Sequence, residues 1–556
     1  MLSLLVCCLL KIRNICKGGD IINNQNPSQE SYISLIFLVI LTVLLFFFAK
    51  ILQITTGAEK ELGIVMGEFL RARMQGNPMS PEEARAIYIF SGTVLGIAAI
   101  GSFLYFKLKI EWQNFKEQYS IKRRFASEQG TARWESIDNF KKLTGKDGVL
   151  IGYTDSLFPQ EIRLSQKASC EHIAVIGPTG CGKTSRFFIP NILSIPDNVS
   201  LVVTDPKGEL ERITRDTLIK RRWEVYTFSL DKSSDFSYNP LAIVRDEAEV
   251  NELAQITIQN GYSASGQAGD TQWVNFSLPL WEAALFAEIQ TAEEEGRLPY
   301  LYKAYDFLML DTEEQVDIVA NNYNAYKAFQ AYLQVGQAPE TMSSIKMVAT
   351  SSLKLFTRPD IRKATSQGVP FIPNWLREKP VAYFIQIPEH KAHLLKPITA
   401  TLYWQLFEHL IEKDGLPVFF FLDEFPNIGK IPGFAQLAAT LRSRKISINI
   451  CLQGIEQLAR EYSKEEQIDI LNNMKTKIYF PGSSGEAGSY FENLVGKSTI
   501  EIEKQKQIHP LLTADELRRL PDGYIAVLAH NLNPIILKTI PWYKQNHTSA
   551  QIVRGF

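Results

Sequence analysis

The sequence has no excess of one charge: 59 Lys and Arg stand against 60 Asp and Glu, a formal net charge of −1 over 556 residues. That excludes the global basic surface of a protein that coats nucleic acid, so any contact with a phosphate backbone must come from a local patch. Cysteine is scarce. The six present (Cys7, Cys8, Cys16, Cys170, Cys181, Cys451) make no CxxC pair and no regular spacing, which argues against a disulfide scaffold or zinc ribbon and fits a reducing compartment. No zinc finger or helix-turn-helix is visible, so DNA contact is expected to be independent of base sequence. Met1 to Leu10 is apolar but has no basic stretch before it and no small-residue cleavage site after it, a poor match to a secretory signal peptide.

The composition, 45% apolar and 21% charged, suffices for substantial cores and for two or three folded units. Two apolar runs stand out near the amino terminus. Residues 33–54 are almost unbroken apolar sequence apart from Lys50, and at about 1.5 Å per helical residue they can cross a hydrocarbon core. Residues 86–106 form the second run and carry Gly92, Gly96 and Gly101, small residues that permit close helix packing in a membrane. Lys107, Lys109, Lys116, Lys122, Arg123, Arg124 and Arg133 follow the second run, and Lys11, Arg13 and Lys17 precede the first. The positive-inside rule then predicts that both ends are cytoplasmic, with residues 55–85 as a short loop on the other side. The alternative is a pair of buried helices in a soluble domain.

His172 to Ile176 is an apolar strand that runs into Gly177, Pro178, Thr179, Gly180, Cys181, Gly182, Lys183 and Thr184, followed by helix-forming sequence. Strand, G-x-x-x-x-G-K-T, helix is the pattern of a phosphate-binding loop. Its glycines let backbone N–H groups turn toward phosphate oxygens, Lys183 supplies a point charge, and the Thr184 hydroxyl is a ligand for Mg²⁺. Such a loop needs an acidic partner at the end of another core strand, and Val418 to Leu422 followed by Asp423 and Glu424 supplies it. Asp423 would hold the Mg²⁺ shell and Glu424 would polarise the attacking water. Two further strands end in polar residues, Leu201 to Thr204 in Asp205 and Ser447 to Leu452 in Gln453. In a parallel sheet, strand ends face the ligand, so each is a nucleotide sensor or the cap of a turn. Leu441-Arg442-Ser443-Arg444-Lys445 is either a source of a charge-stabilising arginine or a solvated helix end.

These segments, with Gly130-Thr131-Ala132-Arg133-Trp134, Asp205-Pro206-Lys207-Gly208-Glu209 and Tyr238-Asn239-Pro240-Leu241, resemble the type IV secretion coupling proteins of the TraG/TraD kind over essentially the whole chain. The resemblance implies an α/β fold: a RecA-like P-loop ATPase with a parallel-sheet core, an all-α insertion domain and an N-terminal two-helix transmembrane anchor. It implies ATP and Mg²⁺ as cofactors, a homo-hexamer in the bacterial inner membrane, and transfer of a relaxase-bound DNA strand or effector proteins to a type IV secretion channel. It further implies that Gln453 senses the γ-phosphate and that Arg442, or its rival Arg444, acts on the neighbouring subunit's nucleotide. The residues up to Phe556 include no acidic tail of the kind some relatives use to recruit substrates.

The expected organisation is a cytoplasmic segment (1–32), a first membrane helix (33–54), a loop (55–85), a second membrane helix (86–106) and a linker (107–147). A nucleotide-binding domain follows in two stretches, 148–245 and 373–556, interrupted by an all-α domain (246–372). Within the helical domain, Leu278, Trp281, Glu282 and Leu285 follow helical periodicity, and Gly261 to Asp270 read as a flexible loop. Basic clusters at Lys220-Arg221-Arg222-Trp223 and Arg442 to Lys445 would contact DNA if they line a pore and are otherwise solvated faces. Two competing functions are an FtsK-like DNA translocase and an ATP-gated docking platform whose hydrolysis is incidental.

Overall fold

The computed structural model describes residues 49–54, 62–90, 130, 132–230, 234, 236–265, 272–336, 338–366, 370–483, 485–502 and 505–545. Its contacts divide the chain into two units, residues 1–121 and 122–556. In the first, the expected loop is partly helical: α1 spans Leu62–Met74, and residues 81–90 are helical as well. Ser80 caps the second of these helices. Its hydroxyl accepts from the Glu83 N–H at 3.2 Å while Glu83 accepts from the Ser80 N–H at 2.8 Å, a reciprocal capping box with Pro81 at the first helical position. Most of both expected membrane helices lies outside the described residues. Among the described residues, no helix is long and apolar enough to cross a membrane.

Among the described residues, the second unit is built on one sheet of eleven strands. They are β1 Leu150–Tyr153, β2 Glu161–Arg163, β3 Ile173–Ile176, β4 Ser200–Thr204, β5 Glu224–Ser229, β6 Val381–Gln386, β7 Val418–Leu422, β8 Ile446–Leu452, β9 Thr476–Tyr479, β12 Tyr524–Ala529 and β13 Ile535–Lys538; β10 Lys497–Ile502 and β11 Gln505–Pro510 form a separate hairpin. The spatial order is β2-β1-β13-β12-β9-β3-β8-β7-β4-β6-β5. From β9 to β5 every pairing is parallel, and the pairings from β9 out to β2 are antiparallel. Parallel strands buried on both faces need continuous apolar sequence, and all five residues of β7, Val-Phe-Phe-Phe-Leu, are buried. Burying one such phenylalanine is worth about 2–3 kcal/mol. The Phe421 ring lies 6.1 Å from both Phe187 and Phe188, in the helical run that leads into α2, Ile189–Ser194. That packing fixes the phosphate-loop helix against the acidic strand.

Helix α3, Glu209–Lys220, follows β4. After β5 comes a helical body: α4 Glu247–Ala264, α5 Gln272–Glu294, α6 Leu301–Leu308, α7 Thr312–Val319, α8 Tyr323–Val335, α9 Pro339–Leu353 and α10 Pro359–Ser366. Trp281 and Leu285 are fully buried there, and the Trp281 Nε1–H donates to Thr257 Oγ1 at 2.8 Å. Gly261 was expected to open a flexible loop, but Gly261 to Ala264 are the last turn of α4. The glycine serves close packing instead, since a Cβ there would meet the Ser352 carbonyl oxygen of α9 at 2.1 Å. The rest of that expected loop, residues 266–270, lies outside the described residues.

The chain leaves the sheet after β5 and returns at β6, its hydrogen-bonded neighbour. Ser237 and Pro370 form a parallel bridge where the two crossings pass. The Tyr238-Asn239-Pro240-Leu241 motif is the buried joint at this point. Gln405, on α11 (Ala392–Glu412), accepts from the Tyr238 hydroxyl at 2.6 Å and donates to the Pro240 carbonyl at 2.9 Å, and Asn239 donates to the Pro299 carbonyl at 2.9 Å. The other motif segment, around Gly130 to Trp134, is a strap. Ala132 N–H donates to Lys497 O at 3.1 Å and Glu135 N–H to Pro534 O at 2.9 Å, while a Cβ on Gly130 would meet Lys497 O at 2.8 Å.

Candidate functional site

Strand β3 delivers the loop. Gly177 N–H donates to Leu452 O of β8 at 3.1 Å, and a Cβ at Gly177 would meet Phe480 Cβ at 2.7 Å and Cys181 Sγ at 2.8 Å, so only glycine fits. Gly180 (φ +82°) and Gly182 (φ +94°) are in the left-handed region, the conformation that lets successive N–H groups face one concavity. Lys183 is 7% exposed, and its ammonium donates to the carbonyls of Gly177 and, at 3.0 Å, Pro178. Thr184 then opens the helical run into α2.

The topology decides what this loop meets. Strand β8 lies between β3 and β7, with Ile176 opposite Leu452 and Leu422 opposite Ile450. Gln453, just past β8, therefore stands between the phosphate loop and the Asp423-Glu424 pair. Its Nε2 donates to Glu424 Oε1 at 2.9 Å. Glu424 has φ +51°, ψ +51°, a conformation that costs a residue with a side chain of order 1–3 kcal/mol and concentrates at functional sites. The Asp423 carboxyl is pushed up to about 6, by burial first and by the Glu424 charge second, while the Lys183 ammonium and a hydrogen bond from the Cys451 thiol act in the opposite direction. Cys451 is wholly buried in β8, and burial holds its thiol well above the usual range. No local pattern marks it in the sequence.

These groups surround a cleft of about 730 Å³, lined also by Asp205, Lys207, Glu389, Asn427, Trp542 and Tyr543. Asp205 is committed to a cap: its carboxylate accepts the Glu211 N–H at 2.8 Å at the start of α3, and burial raises its pKa. Lys207 approaches Glu389 at 3.7 Å. Trp542 and Tyr543 meet edge to face at 5.9 Å, the first packed on the core and the second half exposed. They offer the cleft an aromatic wall. Sequence reasoning missed both, because they lie far down the chain from the loop and their only local signal is the preceding Pro541.

Arg442 is elsewhere. It sits on α12 (Phe434–Ser443), ahead of β8, whereas Gln453 follows β8. Seven strand residues at about 3.3 Å each put roughly 23 Å between the two edges of the sheet. Its Nη2 donates to Glu171 Oε1 at 2.7 Å, and it lines a second hollow of about 400 Å³ with Gln166, Lys167, Cys170, Ser443 and Lys445. Arg444 lies 4.0 Å from Asp414. In the other basic cluster, Arg221 is a brace rather than a free cation, bonded to Asp197 (2.8 Å) and to the carbonyls of Leu193 (2.9 Å) and Ile195, and Trp223 Nε1 also donates to Asp197 at 2.8 Å.

Residues 133–554 match the family model described as type IV secretory system conjugative DNA transfer. The protein VirD4 of Rhizobium radiobacter is 24% identical over 467 residues, 77% of this chain and 65% of that protein. The conjugal transfer protein TraG of Escherichia coli is 24% identical over 400 residues, 63% of this chain and 62% of that one. The chain thus spans less than two thirds of the length of either. Among solved structures, the plasmid coupling protein TrwB in complex with the ATP analogue ADPNP superposes with a TM-score of 0.60 at 16% identity, covering 77% of this chain and 97% of that one. TrwB in complex with ADP and Mg²⁺ gives 0.60 at 16%, with 77% and 96% covered. At this identity the likeness establishes the fold.

Proposed function

The chain belongs to the family of type IV secretory system conjugative DNA-transfer proteins, and from that membership we propose that it is an ATP hydrolase that drives substrate into a type IV secretion channel. The observation that carries this is the convergence of Lys183, Asp423, Glu424 and Gln453 on one cleft at the ends of three adjacent parallel strands. Cargo would be a relaxase-bound DNA strand, effector proteins or both.

Mg²⁺ fits the residues present. Asp423 is a largely buried carboxyl whose charged form burial disfavours, and a cation beside it would remove that penalty. With the Thr184 hydroxyl, Asp423 would hold the ion, which when bound neutralises charge on the β- and γ-phosphates. Backbone N–H groups of the loop from Gly177 to Thr184 bind phosphate oxygens, and Lys183 exchanges its carbonyl partners for them. Glu424 takes the proton of the attacking water. Gln453, tied to Glu424, orients that carboxylate and reports on the γ-phosphate.

Arg442 cannot serve its own cleft from the opposite strand edge, so it would act on a neighbour's. A ring of six copies would bring the cationic face around Arg442, Lys167 and Lys445 against a cleft rich in carboxylates, and the charges are complementary. The apolar runs 33–54 and 86–106 support a two-helix anchor in the bacterial inner membrane, with the body in the cytoplasm where ATP is available.

The test is hydrolysis by the purified full-length chain with and without single-stranded DNA, alongside transfer in cells. Stimulated hydrolysis in the wild type and its loss in Glu424→Gln is the expected result. Transfer that persists undiminished in Glu424→Gln cells would overturn the motor. Crosslinking in cells then distinguishes a relaxase with its strand from a secreted protein.

A further inference from the structure

At the strand edge opposite the cleft, one carboxylate serves two partners. Glu171 lies in the turn before β3 with its side chain 12% exposed. Its Oε1 accepts from Arg442 Nη2 at 2.7 Å, and its Oε2 lies 3.0 Å from His530 Nδ1. The main chain beneath is fixed: Glu171 N–H donates to Ala168 O at 3.2 Å and Glu171 O accepts from Lys475 N–H at 3.0 Å. His530 is fixed from the same place, its N–H donating to Lys475 O at 2.8 Å with φ +54°. Arg442, by contrast, is half exposed. A long, solvated cation is thus held by a nearly buried carboxylate that has no freedom of its own.

We propose that Glu171, braced by His530, is the positioning residue that aims Arg442 toward the nucleotide of a neighbouring subunit; this rests on the assignment of Arg442 as the trans-acting arginine. An arginine that stabilises transition-state charge across a subunit boundary must arrive in a fixed place. Unheld, the Arg442 guanidinium would sample many rotamers, and Lys167 and Lys445 around the same hollow would repel it. The Glu171 carboxylate supplies both the fixed direction and the compensating charge. His530 occupies the other oxygen and prevents the carboxylate from rotating away. The opposite effect, in which Glu171 holds Arg442 back, makes the opposite prediction for rate.

The experiment is steady-state ATP hydrolysis by the full-length chain in a double-mutant cycle. Arg442→Ala is expected to lower kcat about a thousandfold. Glu171→Gln is expected to lower kcat about ten- to a hundredfold with KM for ATP unchanged, Glu171→Asp to recover part of the loss, and Glu171→Gln to cost nothing further in the Arg442→Ala background. If Glu171→Gln does not fold at the assay temperature, His530→Asn is read in the same cycle, with a smaller loss in the same direction that also vanishes without Arg442. A rise in kcat, no change, or a loss that adds fully to that of Arg442→Ala overturns the positioning role while leaving the trans arginine intact. If Arg442→Ala hydrolyses ATP normally, both fall together.

Discussion

Gln453 and Glu424 are joined side chain to side chain at 2.9 Å across the ends of two neighbouring strands, although 28 residues separate them in the chain. The bond gives the left-handed Glu424 a partner that is set by strand register rather than by a loop.

On the proposed mechanism, Glu424→Gln removes the proton acceptor and lowers kcat by about 10²–10⁴ with nucleotide affinity retained. Gln453→Ala leaves the acceptor but frees it, so a smaller loss in kcat is expected. Rates and equilibrium nucleotide binding measured on the same preparations check both. Equal loss of binding in Glu424→Gln would contradict the assignment.

Tyr543 presents a half-exposed ring to the cleft, the surface a nucleobase would stack on. Tyr543→Ala should weaken ATP binding by about 1 kcal/mol, roughly fivefold, with kcat little changed; Tyr543→Phe should be near wild type. Fluorescence titration with an ATP analogue reads the difference. An effect on kcat alone would place the ring outside the base site.

His172 gives the fold a pH dependence. Its Nε2–H donates to Ala438 O at 2.7 Å and its Nδ1 accepts the Ile448 N–H at 3.1 Å, an arrangement only the neutral ring can make. Burial holds its pKa down to about 4, and nearby Arg442 adds to the effect. Between that value and the unfolded value of about 6.5 the unfolded chain binds the extra proton, so stability rises with pH across this window and is lost as pH falls through it. At pH 5 the expected loss is about 2 kcal/mol relative to pH 7.5. Urea midpoints of the wild type and His172→Gln at the two pH values isolate it. Identical pH dependence in both proteins would remove His172 as the cause.

Gln405 is 1% exposed and bridges the Tyr238 hydroxyl and the Pro240 carbonyl. Gln405→Ala strands both and should cost about 2–3 kcal/mol. Thermal unfolding monitors the loss. A drop in ATP turnover at temperatures where the variant remains folded would indicate that the joint also carries motion.

The phosphate loop was legible because its chemistry is contiguous: every group from Gly177 to Thr184 is local, and the strand before it is a plain apolar run. Strand β7 was legible for a similar reason, since burial on both faces demands an apolar run and the acids at its end break it abruptly. Asp205 shows the limit. A strand-end aspartate reads alike whether it faces a ligand or caps a helix, and Asp205 does both, lining the cleft while its carboxylate accepts the Glu211 N–H at the start of α3. Cys451, Trp542 and Tyr543 reach the site through packing between distant segments, and nothing in their own neighbourhood announces it. Gly261 misled because a glycine that permits close helix contact looks the same in sequence as one that ends a helix.

The Ser237–Pro370 bridge sets the two ends of the helical body side by side on adjoining strands. The body also reaches the cleft side of the sheet, where Asn260 of α4 donates to Lys430 O at 2.9 Å and accepts the Lys430 N–H at 2.7 Å in the segment that follows Glu424. The helical body is therefore tied to the sheet at its own doorway and again beside the acidic strand end, so a shift in the body has a direct route to Glu424.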